Sequence, residues 1–94
     1  AWIDAAKSAK LALRVRSSGG RQLGLFWRSS ASPHWGPDKE VHIDVPADRQ
    51  WHEVEFDLAQ HDLWTGRILQ IRLDVEPADA GSGTTLDVDW IRPR

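Results

Sequence analysis

The sequence predicts an all-β domain built as an antiparallel β-sandwich, and three observations support this fold class. Short segments alternate apolar and polar residues with the period of two that a strand with one buried face requires. Turn-forming residues separate these segments. No segment is long and helical enough to supply the crossover that parallel strands need. We therefore expect the strands to pair antiparallel.

Five strands follow from the alternation of apolar residues. In chain order they contain Leu11, Leu13 and Val15; Leu23, Leu25 and Trp27; Val41, Ile43 and Val45; Ile71, Leu73 and Val75; and Leu86, Val88 and Trp90. β-branched and aromatic residues are frequent in these segments, as is typical of strands. Each segment is predicted to bury one face and to leave the other in solvent.

The segment from Trp51 to Leu58 fits two periods. Trp51, Val54 and Leu58 would share one face of a helix, whereas alternate residues from His52 to Leu58 would share one face of a strand. The three acidic residues between them fall on the opposite side of the pleat, as a solvated strand face requires. We therefore favour a sixth strand here.

Turn signals bound the strands. They lie in residues 17–20, 29–38, 46–48 and 77–83, which are rich in serine, glycine, proline and aspartate. A short helical turn over residues 59–62 is compatible with this division. The chain therefore consists of short strands and turns, without an internal repeat.

Size and charge restrict the function classes. With 94 residues and 40% hydrophobic content, the chain is predicted to form a single domain, residues 1–94. Twelve basic residues against fourteen acidic ones give a net charge of -2, which does not attract nucleic acid or an anionic membrane. There is no cysteine for a disulfide or a nucleophilic thiolate. No apolar run is long enough to insert into a membrane.

The residue types that often carry catalysis do not form a recognisable constellation. Asp87 and Asp89 share one strand face, where arginines of neighbouring strands would pair with them and keep them ionised. The four histidines lack a metal-ligand spacing. The serines near His34 lack a nucleophile elbow. The sequence therefore predicts neither an enzyme nor a metal site.

Several short motifs, taken in order, resemble one family. They are Leu13-Arg14-Val15-Arg16-Ser17, Leu25-Phe26-Trp27-Arg28, Trp64-Thr65-Gly66, Ile71-Arg72-Leu73-Asp74 and Val88-Asp89-Trp90-Ile91-Arg92. Their order and spacing resemble the C-terminal part of galactose-binding-like jelly rolls, many of which are carbohydrate-binding modules of secreted polysaccharide-degrading enzymes.

The resemblance covers nearly the whole chain but about two-thirds of such a module, since these domains commonly run to about 150 residues. It implies that the chain is a fragment of a longer module without its N-terminal strands, and that it works outside the cell or at the cell surface. Those strands often hold a structural calcium in the family, so no cofactor is expected here. Val75-Glu76-Pro77 departs from the family, where proline often follows the aspartate directly.

Sugar binding uses aromatic stacking, in which a pyranose face lies on a ring while polar groups bond the hydroxyls. Of the six tryptophans, Trp27 and Trp90 are in phase with core residues, and Trp64, just before Gly66, resembles the family's structural Trp-x-Gly corner. We predict that these three pack in the core. Trp35 lies in a proline-bounded loop and Trp51 on the polar side of its strand, so each has either a ligand or a packing role.

Phe26 raises a separate alternative. If Leu25 and Trp27 face the core, Phe26 faces the other surface of its strand. That surface is either a binding face or a face covered by an N-terminal segment or a partner chain. The sequence does not decide between these two interpretations.

The sequence thus predicts a non-catalytic accessory module that binds a polysaccharide or glycan. Its candidate ligand contacts are Phe26, Arg28, His34, Trp35, Trp51 and Asp74. The alternative is a structural or assembly domain that pairs through an exposed edge strand, marked by Trp2 and Ile3, with a second copy or with a larger parent protein.

Overall fold

The computed structural model describes residues 3–19, 22–76 and 85–94, and these residues form an all-β fold of two antiparallel sheets. The strands are β1 (Ile3–Asp4), β2 (Lys10–Ser17), β3 (Gln22–Ser29), β4 (Glu40–Asp44), β5 (His52–Asp57), β6 (Arg67–Glu76) and β7 (Leu86–Pro93). The predicted fold class is confirmed, and so are the five strands and the favoured sixth. The described residues contain no helix, so residues 59–62 form turns only.

One sheet has four strands in the order β1-β6-β3-β4, and the other has three in the order β5-β2-β7. Every neighbouring pair runs antiparallel. β4 and β5 contact each other along one side of the sandwich. β6 and β7 therefore lie toward the opposite side.

The core lies between the two sheets and combines apolar residues of the predicted alternation with Ala5, Trp64 and Ile68 from outside it. Its buried members are Ala5, Leu11, Leu13, Val15, Leu23, Leu25, Trp27, Val45, Phe56, Leu58, Trp64 and Ile68. Core residues recur at every second position of β2 and β3, so most polar side chains of these strands lie on the outer face. Ser17 and Ser29 are the exceptions, since both are buried in phase with the core.

Two tryptophans close one end of the core. Trp27 is fully buried, and its indole N–H donates to the carbonyl of Leu63 at 3.1 Å. Trp64 packs edge-on against Trp27 with ring centroids 5.3 Å apart and donates to the carbonyl of Ser8 at 2.8 Å. The predicted packing roles of both residues are confirmed.

The prediction that Trp90 faces the core is wrong. A β-bulge shifts the pairing of β7 with β2, so that Val88 lies opposite Val15 while Trp90 lies opposite Arg14. Residues directly opposite each other share a face, and Trp90 therefore lies on the outer face, with the Arg92 guanidinium 4.2 Å from its ring centroid. The bulge adds one residue to β7 and so reverses the alternation.

Edge strand β1 is short, and Ile3 pairs with Ile68 of β6. Trp2, which the sequence suggested as an edge marker, lies outside the described residues. The described part of the chain contains no helix with the length and apolar content needed to cross a membrane.

The connection from β4 to β5 spans residues 45–51 and is held by several hydrogen bonds. Arg49 adopts a left-handed backbone conformation with φ 63°, and its amide donates to the carbonyl of Ser17 at 3.0 Å. The Asp48 carboxylate accepts the amide of Gln50 at 3.0 Å and contacts His52 Nε2 at 2.9 Å. Both hydrogen bonds stabilise the ionised carboxylate and so lower the pKa of Asp48 below its ordinary value. The bond from the Gln50 amide contributes most.

Replacing Asp48 with asparagine is expected to change the acid dependence of stability. A lowered folded-state pKa means that Asp48 stabilises the fold above its ordinary pKa and loses this effect as the pH falls through its folded value. The difference in unfolding free energy between wild type and Asp48→Asn should therefore be largest near neutral pH and vanish in acid. Urea titrations followed by circular dichroism across the acidic range measure it. A difference that is constant with pH would contradict the assignment.

Candidate functional site

The outer face of the four-stranded sheet brings together several of the predicted ligand contacts. Phe26 of β3 lies directly opposite Arg72 of β6, and Gly24 lies opposite Asp74. The alternation that buries Leu25 and Trp27 therefore places Phe26 on the outside, as predicted. Phe26 and Asp74 share this face because β3 and β6 are neighbours, which the sequence does not show.

A cleft opens on this face, where the loop after β3 folds over the sheet. It has a volume of about 310 Å³ and is lined by Phe26, Trp35, Gly36, Pro37 and Arg72. We call it the outer cleft. Trp35 is 42% exposed, so part of its ring is open to solvent beside the cleft.

Arg72 occupies the space between the two aromatic rings. Its guanidinium lies 4.5 Å from the ring centroid of Phe26 and 5.5 Å from that of Trp35, within the range of cation–π attraction. It also pairs with Asp74 at 3.3 Å. The Phe26 ring is therefore covered by a hydrogen-bond donor, and Trp35 is the more exposed of the two rings.

The loop that carries Trp35 is held by a buried lysine. Lys39 directly precedes β4, and the amide of Trp27 donates to its carbonyl at 3.4 Å. The Lys39 side chain is 0% exposed, and its Nζ donates to Ser32 Oγ at 2.9 Å and lies 3.6 Å from Asp38 Oδ1. Ser32, near the start of the loop, and Asp38, at its end, therefore contact the same buried amine.

His34 adds to the same cluster. Its Nε2 lies 3.3 Å from Lys39 Nζ and 3.7 Å from Asp38 Oδ2, and its Nδ1 lies 3.4 Å from Ser32 Oγ. His34 therefore fixes the backbone next to Trp35. The structure places His34 in the loop beside the outer cleft, but its ring nitrogens contact Lys39, Asp38 and Ser32.

Arg28 fastens the other edge of the loop. Its Nε donates to Gln70 Oε1 at 2.6 Å, and its Nη1 donates to the carbonyl of Pro33 at 3.3 Å. Both bonds lie on the outer side of β3 and β6, since Arg28 and Gln70 are cross-strand partners. Arg28 therefore shares the face of the outer cleft and supports the start of its loop.

Sequence reasoning missed residues of β4 and the close approach at Gly24. A Cβ atom at Gly24 would lie 3.1 Å from the His42 ring and 3.2 Å from Phe26. The absent side chain lets those two rings meet edge-on, with centroids 6.2 Å apart. Glu40, which contacts His42 at 3.5 Å, lies opposite Phe26. The alternation of β4 would have placed Glu40 and His42 on the outside, but not beside β3.

The structure does not bring Trp51 together with the other candidates. Trp51 immediately precedes β5, in the three-stranded sheet, and its ring lies between the guanidinium groups of Arg14 and Arg16, each 4.7 Å from the centroid. Arg14 and Arg16 lie on the outer face of that sheet. Trp51 is thus on the polar side of its strand, as predicted, but on the opposite surface of the sandwich from the outer cleft.

The acidic pair on β7 is engaged by arginines. Asp89 bonds Arg14 at 3.0 Å, and Asp87 bonds Arg16 at 2.8 Å, so the predicted cross-strand pairing is confirmed. Within residues 3–19, 22–76 and 85–94, no three histidine or acidic side chains cluster in a way that would hold a metal ion.

Phe26, Arg28, His34, Trp35 and Asp74 thus lie on or beside one surface, and Trp51 lies on the other. This arrangement results from the loop after β3, from the pairing of β3 with β6, and from the glycine at position 24. No protein-family model, curated protein or solved structure matches the chain.

Proposed function

We propose that the chain is a non-catalytic carbohydrate-binding domain that binds a polysaccharide or glycan at the outer cleft. The observation that supports this best is a partly exposed Trp35 ring with the Arg72 guanidinium and the Asp74 carboxylate on the same face. A sugar presents an apolar face and a rim of hydroxyls, and this surface offers a stacking ring and both kinds of hydrogen-bonding group.

The balance of charge around the cleft favours a neutral, hydroxyl-rich ligand. Arg28 and Arg72 are donors, while Glu40 and Asp74 are acceptors on the same face. A site for a phosphate backbone would carry an excess of cations instead. Hydroxyl groups both donate and accept, so a saccharide can use this mixed set.

The cleft is at the small end of the range of ligand sites, which favours a short stretch of a longer chain. A polysaccharide would lie across the open face with one or two units over Trp35. The jelly-roll relationship and an extracellular or cell-surface location belong to the same proposal, since the polymers concerned are displayed there.

Replacing Trp35 with alanine is expected to weaken glycan binding roughly 10- to 150-fold. Burying an aromatic ring against a ligand contributes about 1.5 to 3 kcal/mol, and each 1.4 kcal/mol is about tenfold in affinity. A glycan array identifies the ligand, and isothermal titration or affinity electrophoresis with that ligand then measures the loss.

Trp51→Ala is the matched control, because it removes the same ring from the opposite surface. It should leave the affinity within about twofold of wild type. Loss of binding in Trp51→Ala with none in Trp35→Ala would move the site to the three-stranded sheet. A wild-type chain that binds no member of a broad glycan array would overturn the proposed function.

A further inference from the structure

The outer edge of β6 beyond residue 69 is the longest strand edge in the described residues that lacks a partner strand, a bulge and a proline. β6 has ten residues and pairs with β3 along one side. On its other side only Arg67 and Ile68 pair with β1. From residue 70 to residue 76, no described strand occupies this edge. Such an edge presents backbone donors and acceptors in the geometry that another strand needs.

The other edges in the described part of the chain are less suited to pairing. β7 carries the bulge around Asp89 and ends at Pro93, and both features interrupt a regular edge. β4 has only five residues and is followed closely by Pro46. β5 contacts β4 on that side of the sandwich. β6 has neither proline nor bulge from residue 70 onward.

The inner face of β6 is only partly covered. Ile71, Leu73 and Val75 pack against the core but are not fully buried, unlike the corresponding residues of β3. A strand added beside β6 would cover them from the side. Apolar burial would then add to the backbone hydrogen bonds.

The charged residues Arg72 and Asp74 of β6 favour a particular partner and register. On the outer face, Arg72 and Asp74 stand two residues apart on either side of Leu73. If an antiparallel copy of the same strand is centred on Leu73, each Arg72 lies opposite an Asp74. Centring the pair one residue earlier would oppose Arg72 to itself, and one residue later would oppose Asp74 to itself. Like charges directly opposite are destabilising, so the register centred on Leu73 is favoured over these two neighbouring registers.

We propose that β6 pairs antiparallel with β6 of a second copy of this chain, about a two-fold axis through Leu73. In this register Ile71 of each copy lies opposite Val75 of the other, which matches apolar with apolar on the inner face. The two four-stranded sheets become one continuous sheet, and both outer clefts face the same side. An interface of a single strand pair is small, so the dimer is weak and reversible.

Sedimentation velocity over a roughly hundredfold concentration range tests the pairing. The wild-type chain should shift from monomer toward dimer as the concentration rises. Asp74→Arg and Arg72→Asp should each weaken self-association roughly tenfold, since each places like charges opposite one another twice per dimer. Glu53→Arg, the same charge reversal as Asp74→Arg but on β5, is the matched control and should behave as wild type.

Mixing the two variants tests the register. An equimolar mixture of Asp74→Arg and Arg72→Asp opposes two arginines to two aspartates, so it should form the heterodimer at least as readily as wild type forms its dimer. Hydrogen exchange of the wild-type chain gives an independent measurement, because those amides of residues 70–76 that point away from β3 should gain protection with concentration. Monomeric wild type at every concentration, single variants that still dimerise, or a mixture that stays monomeric would each overturn the proposal.

Discussion

Replacing Trp27 with alanine should lower the unfolding free energy by about 3 to 5 kcal/mol, as is usual for a buried aromatic ring. Trp27 is fully buried, packs edge-on against Trp64, and donates a hydrogen bond to Leu63. For a domain of this size the loss corresponds to a fall in Tm of roughly 15 to 35 °C. Urea denaturation followed by far-UV circular dichroism measures it without relying on the removed chromophore.

Trp90→Ala provides the comparison, because it removes the same side chain from the outer face of the three-stranded sheet. Trp90 is half-buried beneath Arg92, so its loss should cost about 1 kcal/mol. Sequence periodicity alone gives both tryptophans the same role. Equal losses in the two variants would therefore contradict the bulge in β7 that separates them.

Lys39→Ala is expected to destabilise the domain by about 2 to 4 kcal/mol, a large effect for a lysine. The substitution leaves a cavity where the aliphatic chain was buried and removes a donor from Ser32. Because Asp38 and His34 contact the same amine, the loop that carries Trp35 should also loosen. Urea denaturation gives the stability, and the exposure of Trp35 to a fluorescence quencher reports the loop.

Two further variants separate the possible causes. Lys39→Met keeps most of the aliphatic volume and loses only the amine, so it should restore part of the stability but not the order of the loop. Lys10→Ala removes an exposed lysine that pairs loosely with Glu55, and should change stability by less than about 0.5 kcal/mol. If Lys39→Ala lowered the stability no more than Lys10→Ala does, the structural role assigned to Lys39 would be wrong.

The strands were predictable because one face of nearly every strand is apolar and the turns between them carry glycine, proline or serine. Leu11, Leu13 and Val15 are buried where the alternation places them. The alternation failed at Trp90, since a bulge adds one residue without leaving a mark in the composition. Periodicity thus gives the face of a residue only while its strand remains regular.

The candidate site was predictable only in part. Phe26 and Trp35 could be selected as aromatic residues outside the core, because one lies out of phase with the core and the other lies in a proline-bounded loop. That Trp51 lies on the opposite surface depends on the strand order, which local periodicity does not determine. Lys39 was missed because an isolated lysine in a loop normally indicates solvent exposure.

The burial of Lys39 divides the side-chain amines of the chain into two chemical classes. Lys7 is exposed in the turn after β1, and Lys10 is exposed on the three-stranded sheet, whereas the Lys39 amine is enclosed by its own loop. Acylating reagents attack free, accessible amines, so coupling through lysine to a sensor surface uses Lys7 and Lys10. Lys10 then tethers the domain by the three-stranded sheet, and the face carrying Trp35 points into the solution.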